Sequence, residues 1–266
     1  MSDAAAVSVL DDLGEEGEEL DALVTGLSAE GWALPTPAER WTVAHQIAHL
    51  AWTDEVALLS VTDPDAFAGE VETAMTDPHS FVDRAAEELV GALEPDALHA
   101  RWRDGRRRLQ EAMRAATPGS RFPWYGPPMK VASMASARLM ETWAHGQDVA
   151  DALGVTRAPS GRLRHVARIG VRARDYAYLV RGMKAPEEEF RVELTGPDGE
   201  LIAYGPEGAP QRVTGPLYDF CLLVTQRAHR DDLAVRAVGA DAERWLDIAQ
   251  AFAGPAGPGR PARKDR

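Results

Sequence analysis

The sequence predicts an α+β chain. A helical N-terminal domain spans residues 1–155, a helical connection 156–185, a small α+β domain 186–253 and a disordered tail 254–266. Three observations predict this order. Apolar residues recur at three- and four-residue steps through most of the first half. After Gly182 the pattern changes to strand alternation, as in Phe190-Arg191-Val192-Glu193-Leu194. Glycine and proline mark the junctions, at Gly154 and Pro159, at Gly182 and Pro186, and from Gly254 onward.

The first helix is expected from about Ala5 to Leu27, with Val7, Leu10, Leu13, Leu20, Leu23 and Leu27 on one face and Gly14 and Gly17 weakening its middle. Thr36-Pro37-Ala38-Glu39 has the form of a capping box, and Thr42 is the rival N-cap of the same helix, which runs on through Val43 to Trp52. His45 and His49 share a face of it. Pro64, Gly69 and Pro78 punctuate the region after that helix. Helices are expected over Phe81–Leu93, Pro95–Arg114 and Val131–Leu153, with a proline-rich loop at 122–128 before the last of these. A further helical stretch covers Leu163–Val180. Phe190–Leu194 and Leu201–Tyr204 form a β-hairpin around Pro197-Asp198-Gly199. Leu217–Gln226 and Ala240–Phe252 read as helices, with a strand at Leu233–Val238 between them.

The chain has 266 residues, 45% of them hydrophobic, and seven tryptophans. That is enough for a substantial core. A formal charge of -13 disfavours non-specific binding to phosphate backbones. The best basic patch, Arg101, Arg103 and Arg106-Arg107-Arg108, lies among acidic residues and reads as a solvated helix face. The one cysteine, Cys221, sits in an apolar run and reads as a small core residue; it rules out a disulfide framework within the chain and a cysteine-rich metal site. The acidic N-terminus lacks the pattern of a secretory signal, and no apolar stretch approaches the ~20 residues of a membrane span. The expected location is the cytoplasm.

Glu141 and His145 stand one helical turn apart and can point at one ion. His49, on a different helix, can close the set. Two imidazoles and a carboxylate suit Zn²⁺ and leave a position for water or substrate. Fe²⁺, Mn²⁺, Co²⁺ and Ni²⁺ use the same donors. Spacing alone is a weak signal, because Glu-x-x-x-His also occurs on ordinary solvated helices.

Trp41-Thr42-Val43-Ala44-His45-Gln46-Ile47-Ala48-His49-Leu50 resembles the WTVxDxxAHL signature of the mycothiol-dependent maleylpyruvate isomerase N-terminal domain. That domain is a branch of the DinB-like four-helix-bundle superfamily. Glu141-x-x-x-His145-Gly146-x-Asp148 resembles its second signature, E-x-x-x-H-x-x-D. The resemblance covers roughly residues 8 to 155. It implies a four-helix bundle with a metal triad of His49, Glu141 and His145. His45 stands where the family usually has Asp. It could support a ligand from behind, serve as a replacement base, add a fourth ligand, or be a polar helix residue and no more. Asp148 could orient a ligand imidazole or make a helix-face salt bridge. The segment from Phe190 to Phe252 resembles the C-terminal part of an uncharacterised actinobacterial metal-binding branch, a part grouped with a domain named for wyosine-base formation in tRNA. Arg227 there resembles an arginine that helps bind or activate substrate in isomerase relatives; the alternative is a helix-end arginine answering the dipole.

The resemblance implies a metal-dependent isomerase or thiol transferase, with Zn²⁺ as cofactor and mycothiol as cosubstrate. Its partners would be a small-molecule substrate and a low-molecular-weight thiol, with a homodimer allowed and neither membrane nor nucleic acid involved. Two readings compete. A metal-binding or ligand-sensing module needs the same donors and no acid–base group. An accessory tRNA-binding or modification role rests only on the C-terminal resemblance, and one cysteine cannot supply the usual iron–sulfur ligands of radical chemistry.

Overall fold

The computed structural model describes residues 3–78 and 80–265, and the side chains of these except 3–7 and 265. The expectations for Val7 and Arg266 lie outside the described side chains. The chain forms two compact units, 1–156 and 157–266.

The first unit is helical. It contains α1 (Asp3–Val24), α2 (Ala29–Trp32), α3 (Val43–Thr62), α4 (Pro64–Met75), α5 (Phe81–Ala92) and α6 (Pro95–Ala115). Two-residue strands β1 (Arg121–Phe122) and β2 (Met129–Lys130) then pair antiparallel ahead of α7 (Val131–Leu153). Helices α1, α3, α6 and α7 make a four-helix bundle: α3 packs on α6 and α7, and α1 packs on α7 and α6. Helices α4 and α5 lie against α3. The core is carried by the apolar face of each helix, with Leu20, Ile47, Leu50, Leu98 and Trp102 all essentially inaccessible to solvent. Gly17 leaves room for the Arg106 guanidinium of α6, which a Cβ would approach to 2.8 Å.

The rival caps of α3 resolve in favour of Thr42. Thr36 instead donates its hydroxyl to Trp41 O at 2.8 Å and so closes the turn ahead of the helix. Pro64, expected only as punctuation, begins α4. Its missing N–H costs nothing at a first helical position, and Asp63 caps the turn by accepting from Ala66 N–H at 3.0 Å. Helix α7 ends at Gly154, whose φ of +67° is the left-handed conformation that glycine adopts without a side-chain penalty, while Val155 N–H returns to Ala150 O at 2.8 Å. Gly154→Ala is expected to cost about 1 kcal/mol, measured as a lower denaturation midpoint at unchanged m-value. A midpoint equal to wild type would contradict this account of the helix end.

The second unit holds α8 (Arg164–Arg172), α9 (Arg174–Leu179), β3 (Phe190–Thr195), β4 (Leu201–Tyr204), β5 (Gln211–Pro216), α10 (Leu217–Val224), β6 (Arg236–Val238) and α11 (Ala240–Ile248). The single helical stretch expected over Leu163–Val180 is thus two helices that meet at Ala173. The predicted hairpin forms, with Val192 opposite Tyr204 and Gly199 at φ +76° in its turn. Strand β5, not foreseen, pairs parallel with β3 and antiparallel with β6, giving the order β4-β3-β5-β6. Only Val213 of β5 is buried, and Gly215-Pro216 closes it, so the sequence carries little alternation to reveal it. Phe190, Val192 and Leu194 bury the alternate positions of β3, and Trp245 of α11 meets Phe190 and Phe220 edge-on. Cys221 is fully buried, and burial pushes its thiol well above the usual range, which leaves it inert as a nucleophile. In the closing segment, expected to be disordered, Ala262 is buried, Arg263 N–H donates to Asp232 and Lys264 pairs with Asp231 at 2.9 Å. The basic end is tied to this unit by two acidic residues that come shortly after His229. Among the described residues, no helix is long and apolar enough to cross a membrane.

Candidate metal centre

Helix α3 presents His49 and helix α7 presents Glu141 and His145. Both imidazole Nε2 atoms lie 3.2 Å from the same oxygen, Glu141 Oε2. The three donor atoms all fall within 4.8 Å of one another, and the two imidazole rings are 4.3 Å apart. Burial raises the Glu141 pKa, but the hydrogen bonds and charge of His145 and His49 outweigh it and hold the carboxyl well below the usual range.

The proton positions around His145 can be worked out from a backbone carbonyl inward. Thr36 donates its hydroxyl proton to Trp41 O, so its oxygen accepts from Gln46 Nε2 at 2.9 Å. That fixes the Gln46 amide, and its Oε1 faces His145 Nδ1 at 2.5 Å. His145 Nδ1 must therefore carry a proton. In the neutral imidazole, Nε2 is then bare and points at a carboxylate oxygen. Two lone pairs facing each other at 3.2 Å repel unless a cation lies between them, either a proton or a metal ion. The donor set fits a divalent metal, and the neutral tautomer fixed by Gln46 is the one a metal requires.

Gln46 carries no motif that marks it in the sequence. The available signal is its position one turn before His49 on the same helix. Asp148, expected as a partner for a ligand imidazole, is buried on α7, while Gln46 occupies the position beside His145 Nδ1. His45 is outside the converging set. Its Nδ1 accepts from Thr42 N–H at 3.2 Å and lies 2.8 Å from the Thr42 hydroxyl, which makes it the reciprocal partner in the cap of α3. Its Nε2 lies 3.4 Å from Glu87. An Asp at this position could accept from the same N–H.

Behind the donors, Arg138 and Asp54 form a buried pair at 2.8 Å between α7 and α3. Arg138 also donates to Thr53 Oγ1 at 2.7 Å, and that hydroxyl donates to His49 O at 2.8 Å. Arg227 belongs to the second unit. Leu222 O and Leu223 O accept from the N–H groups of Arg227 and Gln226 in a Schellman-type end to α10, and the Arg227 guanidinium donates to Thr225 O. The arginines of α6 are paired: Arg101 with Glu55, Arg103 with Asp21, Arg106 with Glu18, and Arg107 and Arg108 with Asp104. His99 Nε2 donates to Asp21 Oδ1 at 2.7 Å, within that same network.

Residues 13–150 match the family model of the mycothiol maleylpyruvate isomerase N-terminal domain, slightly more than half of the chain. The chain belongs to this family. Residues 186–238, which hold the four-stranded sheet, match the model named for wyosine base formation. Uncharacterized proteins from two strains of Mycobacterium tuberculosis are 57% identical over 249 residues, covering 94% of this chain and 96% of theirs. The crystal structure of a mycothiol-dependent maleylpyruvate isomerase superposes with a TM-score of 0.57 at 18% identity, covering 87% of this chain and 92% of that one. A histidine-to-alanine mutant of that enzyme gives 0.56 at 19% identity, with the same coverage. At these identities the likeness shows a common α+β, DinB-like fold.

Proposed function

We propose that the chain is a divalent-metal-dependent enzyme of the thiol-using isomerase or thiol-transferase type, acting on a small molecule. The observation that carries the metal is the convergence of His49, Glu141 and His145, whose donor atoms all lie within 4.8 Å of one another. His49, Glu141 and His145 would hold the ion, with Zn²⁺ the first choice for a His-His-Glu set. A bound ion would supply a Lewis-acid position able to polarise a thiol, water or substrate oxygen. Mycothiol is the proposed cosubstrate because the matching family model and the superposed isomerase are both named for it.

The chain's own residues divide the work. Gln46 holds the His145 ring in the ligating tautomer. Gln46→Ala is expected to weaken metal affinity about 10- to 100-fold, read by competition with a chelating dye; unchanged affinity would contradict its role. Asp148 is proposed to support α7 beside the donors. His45, sequestered by the Thr42 cap, is assigned as a positioning residue rather than the proton carrier that its place in the motif suggested. Arg227, whose guanidinium donates to Thr225 O, is proposed to hold the end of α10 in the second unit.

The metal-loaded protein, mycothiol and a panel of cis-unsaturated acids and electrophilic acceptors test the reading. Turnover that needs both metal and thiol supports it. Full metal occupancy with no thiol-dependent turnover across the panel would instead favour a metal-binding or ligand-sensing module.

A further inference from the structure

A run of aromatic rings begins at the metal centre and leads away from it within the first unit. Trp41 and Trp52 both lie against the His49 ring, with centroids 5.5 and 6.1 Å away, and Trp41 is also stacked on His145 at 5.9 Å. Trp52 meets Phe81 edge-on at 5.7 Å, and Phe81 meets Tyr125 at 5.7 Å. These four rings come from the turn before α3, from α3 itself, from the start of α5 and from the loop between β1 and β2. All four are only partly buried, unlike Trp102 and Trp143 of the bundle core. Partly exposed rings from four places in the chain, two of them against the metal donors and two leading outward from those, point to a ligand surface rather than to core packing.

The surface is built in advance of any ligand. Trp41 is fixed by its indole N–H, which donates to Asp83 at 3.1 Å. The Tyr125 loop carries Pro123, Pro127 and Pro128, and Ser60 of α3 donates to Pro123 O. The charges that meet these rings are mainly acidic. Asp83 holds Trp41, Glu70 acts on Tyr125, and Glu87 faces the neighbouring His45; Arg40 answers Asp83. Away from the metal, an anionic group carried over the rings would therefore meet a like-signed field.

We propose that the small molecule turned over here carries a flat, uncharged aromatic or conjugated group, which lies against Trp41, Trp52, Phe81 and Tyr125 while a polar group of the same molecule reaches the metal. This specificity rests on the proposed metal-dependent function. Stacking a ring on such a surface is expected to gain roughly tenfold in affinity over an alkyl group of little area.

The test uses the full-length, Zn²⁺-loaded protein and three metal-chelating probes: acetohydroxamate, benzohydroxamate and 4-carboxybenzohydroxamate. Calorimetric titration is expected to give benzohydroxamate an affinity about tenfold above acetohydroxamate, with the carboxylated ring weaker than the plain one. Trp52→Leu should bring the ratio of the first two probes close to one. Tyr125→Leu, in a surface loop, should reduce that ratio as well and guards against a folding defect in the first variant; metal content is measured on both. Equal binding of acetohydroxamate and benzohydroxamate to the metal-loaded wild type would overturn the proposed specificity and leave the metal centre standing. Tighter binding of the carboxylated probe would overturn the claim that the group is uncharged. A protein that takes up no metal and binds no probe would overturn the metal-centre reading and the specificity with it.

Discussion

Replacing Arg138 with methionine is expected to cost about 3–5 kcal/mol of stability. The guanidinium and the Asp54 carboxylate are both almost fully buried, at side-chain exposures of 3% and 5%. Burial pushes the Asp54 carboxyl up, and the charge and hydrogen bond of Arg138 pull it back. Without Arg138 the carboxylate is left in the bundle interior with its main partner gone, so its folded pKa rises further above the unfolded value. A raised carboxyl contributes stability at low pH that is lost as pH rises through the folded value. The deficit of the variant should therefore grow between about pH 5 and about pH 8. Denaturant unfolding at both pH values measures it. The double variant Arg138→Met, Asp54→Leu should recover most of the loss, because it removes the stranded charge as well. A single-variant cost below about 1 kcal/mol, with no pH dependence, would show that the pair is solvated and does not brace the helices that carry the donors.

The second large effect concerns the donors themselves. His49→Ala, Glu141→Ala and His145→Ala are each expected to abolish tight metal binding while leaving a folded bundle. The ligands come from two helices, so the native state creates the site and metal in turn stabilises the native state. With free metal about a thousand times Kd, that linkage is worth about 4 kcal/mol, or a rise of roughly 8–16 °C in Tm for a domain of this size. Wild type should show the rise on adding Zn²⁺, and the three variants should not. His229→Asn serves as the control, since His229 lies on the surface of the second unit and caps a short turn that Asn can also cap. An equal rise in all three donor variants would contradict the residue assignment.

Much of this was legible because it is local. Helix α7 runs over Val131–Leu153, as its periodicity and the glycine after it indicate, and the same periodicity places Glu141 and His145 on one turn. The hairpin of β3 and β4 follows from alternation around Pro197-Asp198-Gly199. What the sequence left open depends on tertiary choices. Thr36, in its capping-box pattern, had Thr42 as its rival for the cap of α3, and the decision turns on the Thr36 hydroxyl reaching Trp41 O and Gln46. Gln46 is a neutral amide on an apolar helix, and only its contact with a histidine 99 positions away shows what it does. The aromatic surface has the same origin: Trp41, Trp52, Phe81 and Tyr125 are far apart in sequence, and nothing in their spacing anticipates their meeting. Strand β5 was hidden for a different reason, since only Val213 of it is buried and it closes on Gly215-Pro216.

The measurement that tests the central claim most directly is the metal content of the purified full-length protein, never exposed to a chelator, read by elemental analysis. A cation between His145 Nε2 and Glu141 Oε2 predicts close to one divalent ion per chain, Zn²⁺ foremost, and its loss when any of the three donors is replaced. Metal-free protein that also takes up none of Zn²⁺, Fe²⁺, Mn²⁺, Co²⁺ or Ni²⁺ when each is offered would contradict it, and would leave a protonated imidazole as the cation that His145 and Glu141 share.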